Sequence, residues 1–385
     1  MSRKERGLLR YDFILIAVVL LLTLFGLVTL YSASYLFALN QPQRFTNGLT
    51  PLIGNVTACA LMIVLFPILA LIRLEWLQKG WMVVLLVFIT VVFNILPFFK
   101  TFQSNDYAMR WITLREGVSF QPSELIKIVL PLYLAYILDK NQDKLNIFVY
   151  GPLPPVLLTA LFCTLILIQS NLSDAILIAL TGILICFVAG IRLRWFALVL
   201  LAVIPVAYRL IFGNKDGRWY QRIATWFSQQ PSSPDMRTQI DFSLEAVKAG
   251  GFWGKGIGQG TLKVRMPEVH GDFVFASFVE ESGFLGVLLY FVLIALFAGI
   301  GYMIAWKSRS RFMQIFAFGL VTPIVIQTLL NIAVVVHVIP TTGVPLPFVS
   351  SGGTSLLATL CAAALLVNMA RRHIKSEGMG GKYAR

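Results

Sequence analysis

Ten long apolar runs, at about residues 13–34, 51–73, 80–98, 123–138, 152–169, 172–190, 195–213, 273–305, 313–337 and 352–371, limit this chain to one kind of fold. A helix of roughly 20 apolar residues crosses the ~30 Å hydrocarbon layer of a bilayer and satisfies its own backbone there. A membrane β-barrel would show alternating segments of about 10 residues instead, and these runs do not alternate. The expected fold is an all-α integral membrane protein of about ten transmembrane helices. Composition agrees. Of 385 residues, 57% are hydrophobic and 13% charged, about half the charged share of a soluble domain. No short apolar segment with a small-residue cleavage site precedes the first run, so 13–34 reads as a retained span rather than a signal peptide. Cys59, Cys163, Cys186 and Cys361 all fall inside apolar runs without metal-type spacing, which reads as buried, inert thiols.

The formal net charge is +14. In a soluble protein this would suggest nucleic acid, but here position explains it. Arg3, Lys4, Arg6 and Arg10 precede the first run. Arg73 and Lys79, Lys140 and Lys144, Arg192 and Arg194, then Lys307, Arg309 and Arg311 fill alternate short loops, and Arg371, Arg372, Lys375, Lys382 and Arg385 lie in the tail. An even number of spans puts both ends on one side, and the positive-inside rule makes that side cytoplasmic. The expectation is a multi-pass protein of the cytoplasmic (inner) membrane with both termini inside and no nucleic-acid partner. Residues 1–385 read as a single polytopic domain.

Between spans seven and eight lies a large extracytoplasmic loop, residues 214–271. It holds Lys215, Arg218, Arg222, Arg237, Lys248, Lys255, Lys263 and Arg265, and the topology rule does not count charge in so long a loop. Trp219, Tyr220, Trp226 and Phe227 are interleaved with Arg222, which suits a segment in the headgroup region. An amphipathic or interfacial helix is expected in the loop, with 236–249 as one place for it. A second exterior segment, residues 99–122, carries Arg110-Trp111. That pair reads either as an aromatic-belt anchor or as a guanidinium fork for phosphate.

Ionisable residues inside spans are costly and tend to be functional. Glu124 and Lys127 open span four, three residues apart on one helix face. They read either as a structural ion pair or as the polar lining of a cavity. Asp272 opens span eight, with Glu280 and Glu281 about two turns further. Adjacent acids on a helix point about 100° apart, so at most one faces a given cavity, and one of them reads either as a cavity group or as a partner for Arg209 or Lys127. Asp174 on span six also needs a partner or a watery cavity. Gly250, Gly251, Gly254, Gly256, Gly258 and Gly260 form a glycine-rich stretch. Gly254-Lys255-Gly256 lacks the hydroxyl that ends a nucleotide P-loop, so no nucleotide is expected. Residues 340–355 hold three prolines and three glycines. Irregular backbone near a membrane must be buried in protein or line a cavity.

These residues resemble the SEDS (shape, elongation, division, sporulation) family, which contains FtsW, RodA and SpoVE. Tyr31-Ser32-Ala33-Ser34 ends the first span as in that family. Arg110-Trp111-Ile112, followed by Gln121-Pro122-Ser123-Glu124 and Lys127, matches one signature. Pro267-Glu268, His270, Asp272-Phe273, Phe275-Ala276 and Glu280-Glu281 match a second, and Pro340 to Ser355, with Ser350, Gly352 and Gly353, match a third. The FtsW branch is nearer, on Pro340 to Phe348 and Asn368-Met369-Ala370-Arg371. Three positions depart. Gln169-Ser170-Asn171-Leu172-Ser173-Asp174 replaces the usual Pro-Asp-Leu-Gly-Thr, Ser351 and Thr354 stand in Ser-Tyr-Gly-Gly-Ser, and Tyr107 replaces a glycine.

The resemblance implies a peptidoglycan glycosyltransferase that polymerises lipid II at the outer membrane face and releases polyprenyl diphosphate. Inversion at an α-linked anomeric centre calls for a base on the acceptor hydroxyl, and Asp272 is the candidate. The leaving diphosphate needs positive charge. Arg110, Lys263 and Arg265, with Glu268 and His270 beside them, are candidates for substrate and diphosphate binding, with a divalent cation (Mg2+ or Mn2+) as a possible aid. Trp111, Gln121, Ser123, Glu124, Lys127, Glu280, Glu281, Ser350, Gly352 and Gly353 are implied as cavity or structural polar residues. Implied partners are lipid II, polyprenyl-linked glycan, a class B penicillin-binding transpeptidase and other division or elongation proteins. The rival reading is a lipid II flippase or transporter, which intramembrane charges and broken helices also suit. Against it, no repeat relates two halves. A scaffold would leave the Asp272 loop unexplained.

Overall fold

The computed structural model of the protein describes residues 3–40, 50–99, 110–115, 118–213, 218–228, 234–266, 269, 271–341 and 343–380. A helix lies over each of the ten apolar runs. These are α1 (Arg3–Asn40), α2 (Thr50–Leu71), α4 (Gly80–Ile95), α5 (Ser123–Lys140), α6 (Leu153–Ile168), α7 (Leu172–Val188), α8 (Leu193–Phe212), α11 (Val274–Lys307), α12 (Arg311–Val335) and α13 (Gly353–Gly380). A single turn, α3 (Leu74–Leu77), joins α2 to α4. By length and composition α1, α2, α4, α11, α12 and α13 can cross a membrane, and α6 and α7 are shorter apolar helices. Ile63, Val64, Phe88 and Leu201 stand well exposed on the outside of the bundle. In water such a surface would drive association, whereas in a bilayer it faces lipid.

Inside the bundle, α13 packs against α1 and α2, while α12 packs against α5 and α11. Arg371 on α13 pairs with Asp12 on α1 (Nε to Oδ2, 3.2 Å), so the first and last spans meet at one end. The Lys307 ammonium lies 4.9 Å from the Tyr11 ring at that same end, and Arg311 donates to the Ala189 carbonyl at 2.6 Å. The opposite end gathers the N-termini of α5, α7, α11 and α13.

Two parts of the long loop are helical, α9 (Arg218–Ser228) and α10 (Pro234–Gly250). The expected helix at 236–249 is α10, but it packs on α11, with Ser243 and Ala246 buried. Its Ser243 hydroxyl donates to the Val335 carbonyl at 3.2 Å. The aromatic–basic stretch forms the second helix, α9. Its Trp226 indole and Arg222 guanidinium donate to the His337 and Thr341 carbonyls, each at 3.3 Å. A short antiparallel hairpin, β1 (Ile112–Arg115) and β2 (Val118–Phe120), precedes α5. Nothing in the apolar pattern announced it.

Span eight differs most from its expectation as one continuous helix. At about 1.5 Å per residue, 34 residues would run about 51 Å, well beyond the hydrocarbon thickness. The helix is instead broken at Gly283, whose φ of 61° and ψ of −164° are non-helical. The glycine-rich stretch fills the break. Lys255 and Gly256 donate their backbone N–H groups to the Glu280 and Glu281 carbonyls, each at 3.0 Å, and Phe284 donates to the Gly251 carbonyl at 2.9 Å. The approach is close. A Cβ on Gly283 would stand 2.2 Å from the Gly254 nitrogen. Gly250 and Gly254 make the same close approach, each to a carbonyl oxygen of α11 at 2.2 Å from its would-be Cβ.

Candidate active site

Asp272 sits half-buried at the mouth of α11. Its carboxylate lies against Gly343, where an added Cβ would be 3.4 Å from Oδ2. Gly343 has a φ of +80°, a conformation that side chains other than glycine resist, so the chain can turn there beside the carboxylate. The segment from Pro340 to Gly352 is non-helical and buried over Leu346–Ser350, as its proline and glycine content required. It is held by side chains from α12 and α2 and by its own Ser350. The Asn331 amide of α12 donates to the Val344 carbonyl at 2.7 Å and to the Asp272 carbonyl at 2.9 Å. Gln327, one turn away on α12, donates to the Pro345 carbonyl at 2.8 Å. Ser350 donates to the Gly271 carbonyl at 2.8 Å and accepts from the Leu346 N–H at 2.7 Å. Asn55 of α2 donates to the Ser350 carbonyl and accepts from the Gly352 N–H, both at 3.0 Å. Gly353 is a close approach of α13 to α2, since its Cβ would stand 2.3 Å from the Gly54 carbonyl oxygen.

Arg110 and Trp111 stand half-exposed at the foot of β1. The hairpin is tied to the same segment through Thr354, which donates to the Ser119 carbonyl at 2.9 Å and accepts from the Gln121 N–H at 3.2 Å. Four residues thus separate the anchor of the Arg110 hairpin, Thr354, from the anchor of Gly271, Ser350. The second cation-bearing piece is the turn Leu262–Arg265. Its Arg265 is exposed, with the guanidinium 5.8 Å from the Phe242 ring. Glu268 and His270 lie outside the described residues.

A carboxylate thus stands at a helix mouth, and the Arg110 hairpin and Gly271 share one anchoring segment. The chain matches the family described as cell cycle protein FtsW/RodA/SpoVE over residues 12–375. It is 33% identical to a protein named probable peptidoglycan glycosyltransferase FtsW from Geobacter metallireducens, covering 94% of this chain and 95% of that one. It is 34% identical to one of the same name from Borreliella burgdorferi, covering 92% and 95%. The chain belongs to the FtsW/RodA/SpoVE family. Among solved structures, a chain of a peptidoglycan synthase complex that coordinates polymerization and crosslinking is similar, with a TM-score of 0.77, 23% identity and coverage of 94% of this chain and 98% of that one. The Thermus thermophilus rod shape determining protein RodA follows at a TM-score of 0.65, 23% identity and coverage of 93% and 96%. These two likenesses speak for the fold.

Within this FtsW/RodA/SpoVE fold the remaining sequence-derived residues fall into two buried networks. In the first, Lys127 pairs with Glu124 at 2.7 Å and also donates to the Gln327 side chain at 3.0 Å. The pair is a buried ion pair, and it continues through Gln327 to the Pro345 carbonyl of the segment beside Asp272. Asp174 anchors its own cluster, accepting from Gln121 at 3.0 Å, Ser123 at 3.2 Å and Asn171 at 2.6 Å on one oxygen. The departure from Pro-Asp-Leu-Gly-Thr therefore still delivers a carboxylate to the start of α5.

The second network corrects two expectations. Neither Glu280 nor Glu281 pairs with Arg209 or Lys127. Glu280 pairs with Lys255 at 2.8 Å and accepts the Thr261 and Leu262 N–H groups at 2.9 and 3.2 Å. Glu281 forms an ion pair with Lys263. Lys263 is fully buried and also donates to the Ser32 carbonyl at 2.9 Å. Its charge is committed inside the protein, which leaves Arg265 as the exposed cation of that turn. Sequence reasoning passed over Asn331, Gln327 and Asn55 because it searched spans for ionisable groups. The available signal was an Asn and a Gln four residues apart on one face of an apolar helix. Among the described residues no three His, Cys, Asp or Glu side chains group as metal ligands. They form no cage for a resident divalent cation.

Proposed function

We propose that this protein is an inverting peptidoglycan glycosyltransferase of the FtsW type, polymerising lipid II into β-1,4 glycan at the outer face of the cytoplasmic membrane for septal wall synthesis. The observation that supports the reading is the Asp272 carboxylate beside Gly343, on backbone held by Asn331 at its own carbonyl and by Ser350 at that of Gly271. Asp272 is the general base. It takes the proton of the acceptor 4-hydroxyl as that oxygen bonds to the anomeric carbon of the donor. The bond from that carbon to the diphosphate oxygen breaks on the opposite face, and polyprenyl diphosphate leaves with the electron pair. Arg110 and Arg265 hold the donor's diphosphate, which is already anionic when bound and keeps that charge as the bond breaks. A guanidinium suits this role because it offers paired donors to phosphate oxygens. Any divalent cation, Mg2+ or Mn2+, we assign to the substrate's diphosphate, and no step is routed through it.

The basic end of the bundle, with Arg371 and Lys307, faces the cytoplasm by the positive-inside rule. That places Asp272 and the long loop outside, where the lipid-linked substrate is polymerised. A class B penicillin-binding transpeptidase is the proposed partner, supported by the likeness to a chain of a synthase complex. The deciding experiment is lipid II polymerisation by the purified protein with its cognate transpeptidase, comparing wild type with Asp272→Asn. Glycan from wild type and none from a folded variant is expected. Equal glycan from both removes Asp272 from the role. Lipid II translocation without any glycan would favour the flippase reading.

A further inference from the structure

The two adjacent acids after Asp272 do something the substrate reading does not use. Glu280 and Glu281 point in different directions around the helix, and each takes one lysine from the same loop. Glu280 takes Lys255 and the backbone N–H groups of Thr261 and Leu262. Glu281 takes Lys263, and the Ser32 hydroxyl donates to both Glu281 oxygens, at 2.8 and 2.7 Å. Lys263 closes the circuit by donating to the Ser32 carbonyl and hydroxyl at 2.9 and 3.0 Å. Lys263 and Glu280 are fully buried. The helix break at Gly283 exposes the two carbonyls that hold Lys255 and Gly256. The loop from Lys255 to Lys263 is thus clasped at both ends, and the second clasp reaches α1. Two residues beyond it is Arg265.

We infer that Glu281, Lys263 and Ser32 form a positioning group that sets Arg265 relative to Asp272, with Lys263 acting through the loop and not on the diphosphate. This inference rests on the polymerase reading. A buried pair is not a source of net stability by itself. Removing one partner strands a charge, whereas neutralising both is much milder. That asymmetry separates positioning from mere stability. Lys263→Met and Glu281→Gln should each lower thermal stability, and Lys263→Met/Glu281→Gln should recover most of it. If the clasp positions Arg265, the double variant keeps a KM for lipid II raised about tenfold with kcat changed much less, the mark of lost binding in ground and transition states alike. Lys263→Arg, which retains the charge, should restore KM towards wild type. A double variant with wild-type KM and recovered stability overturns the proposal.

A second measurement separates this from failure of the polymerase reading. In a background with the four native cysteines replaced, Leu262→Cys, 7% exposed in the structure, is probed with a maleimide without substrate. Faster labelling once Glu281→Gln is added supports the clasp, even if the protein makes no glycan. Unchanged labelling overturns it.

Discussion

At the residue scale the chemistry turns on where two carboxylates and two lysines end up. Asp272→Asn keeps the shape and removes the base. General-base catalysis contributes about 10²–10⁴-fold, so glycan synthesis should fall by at least about 100-fold while gel-filtration elution stays unchanged. Gly343→Ala tests the wall of the same site. Its φ of +80° should cost the variant about 1–2 kcal/mol, read as a lower thermal midpoint, with slower polymerisation because the carboxylate loses its neighbour's position. Asp272 was legible in the sequence as the carboxylate at the boundary of a polar loop and an apolar run. The fate of Lys263 was not. A lysine in a basic, glycine-rich loop looks solvated until the loop is seen folded into the break at Gly283. Burial of that kind depends on tertiary contacts with Ser32, more than 200 positions away in sequence.

At the scale of elements, apolar run length located the ten helices of the bundle but could not report how a helix is interrupted. The run at 273–305 holds no proline, and its break rests on one glycine and on the loop that replaces the missing hydrogen bonds. Gly283→Leu should therefore fail to accumulate as folded protein, because its side chain has no room beside Gly254. The segment before α13 was easier to foresee, since proline and glycine cannot continue a helix. Its anchors were missed because Asn and Gln carry no charge. Asn331→Leu strips the amide donor from the Asp272 and Val344 carbonyls. Leaving a buried acceptor unsatisfied costs about 1–3 kcal/mol, so a drop of that order in unfolding free energy is expected, together with reduced polymerisation.

At the scale of the whole molecule, the even number of spans and the basic loops predicted that both ends share a side, and the Arg371–Asp12 pair joins them there. Arg371 is partly exposed but Asp12 is buried, so Arg371→Ala strands a carboxylate and should lower the thermal midpoint more than loss of a surface pair would. Which side the ends face is tested by labelling. An engineered Ile257→Cys, strongly exposed in the long loop, should react with a membrane-impermeant maleimide added to intact spheroplasts. A cysteine appended after Arg385 should react only once the membrane is opened. The reverse pattern would invert the topology and place Asp272 away from the exterior substrate.

Of the six long apolar helices, α13 is the most buried, inserted between α1 and α2. It follows the other nine helices of the bundle in sequence. The residues that brace Asp272 from Gly343 to Ser350 directly precede it, and Thr354 lies in its first turn. A growing chain of this protein therefore carries its carboxylate into the membrane long before it has a site. A chain cut short before α13 keeps Asp272, Arg110 and Arg265 but lacks the helix that carries Thr354, and it should make no glycan.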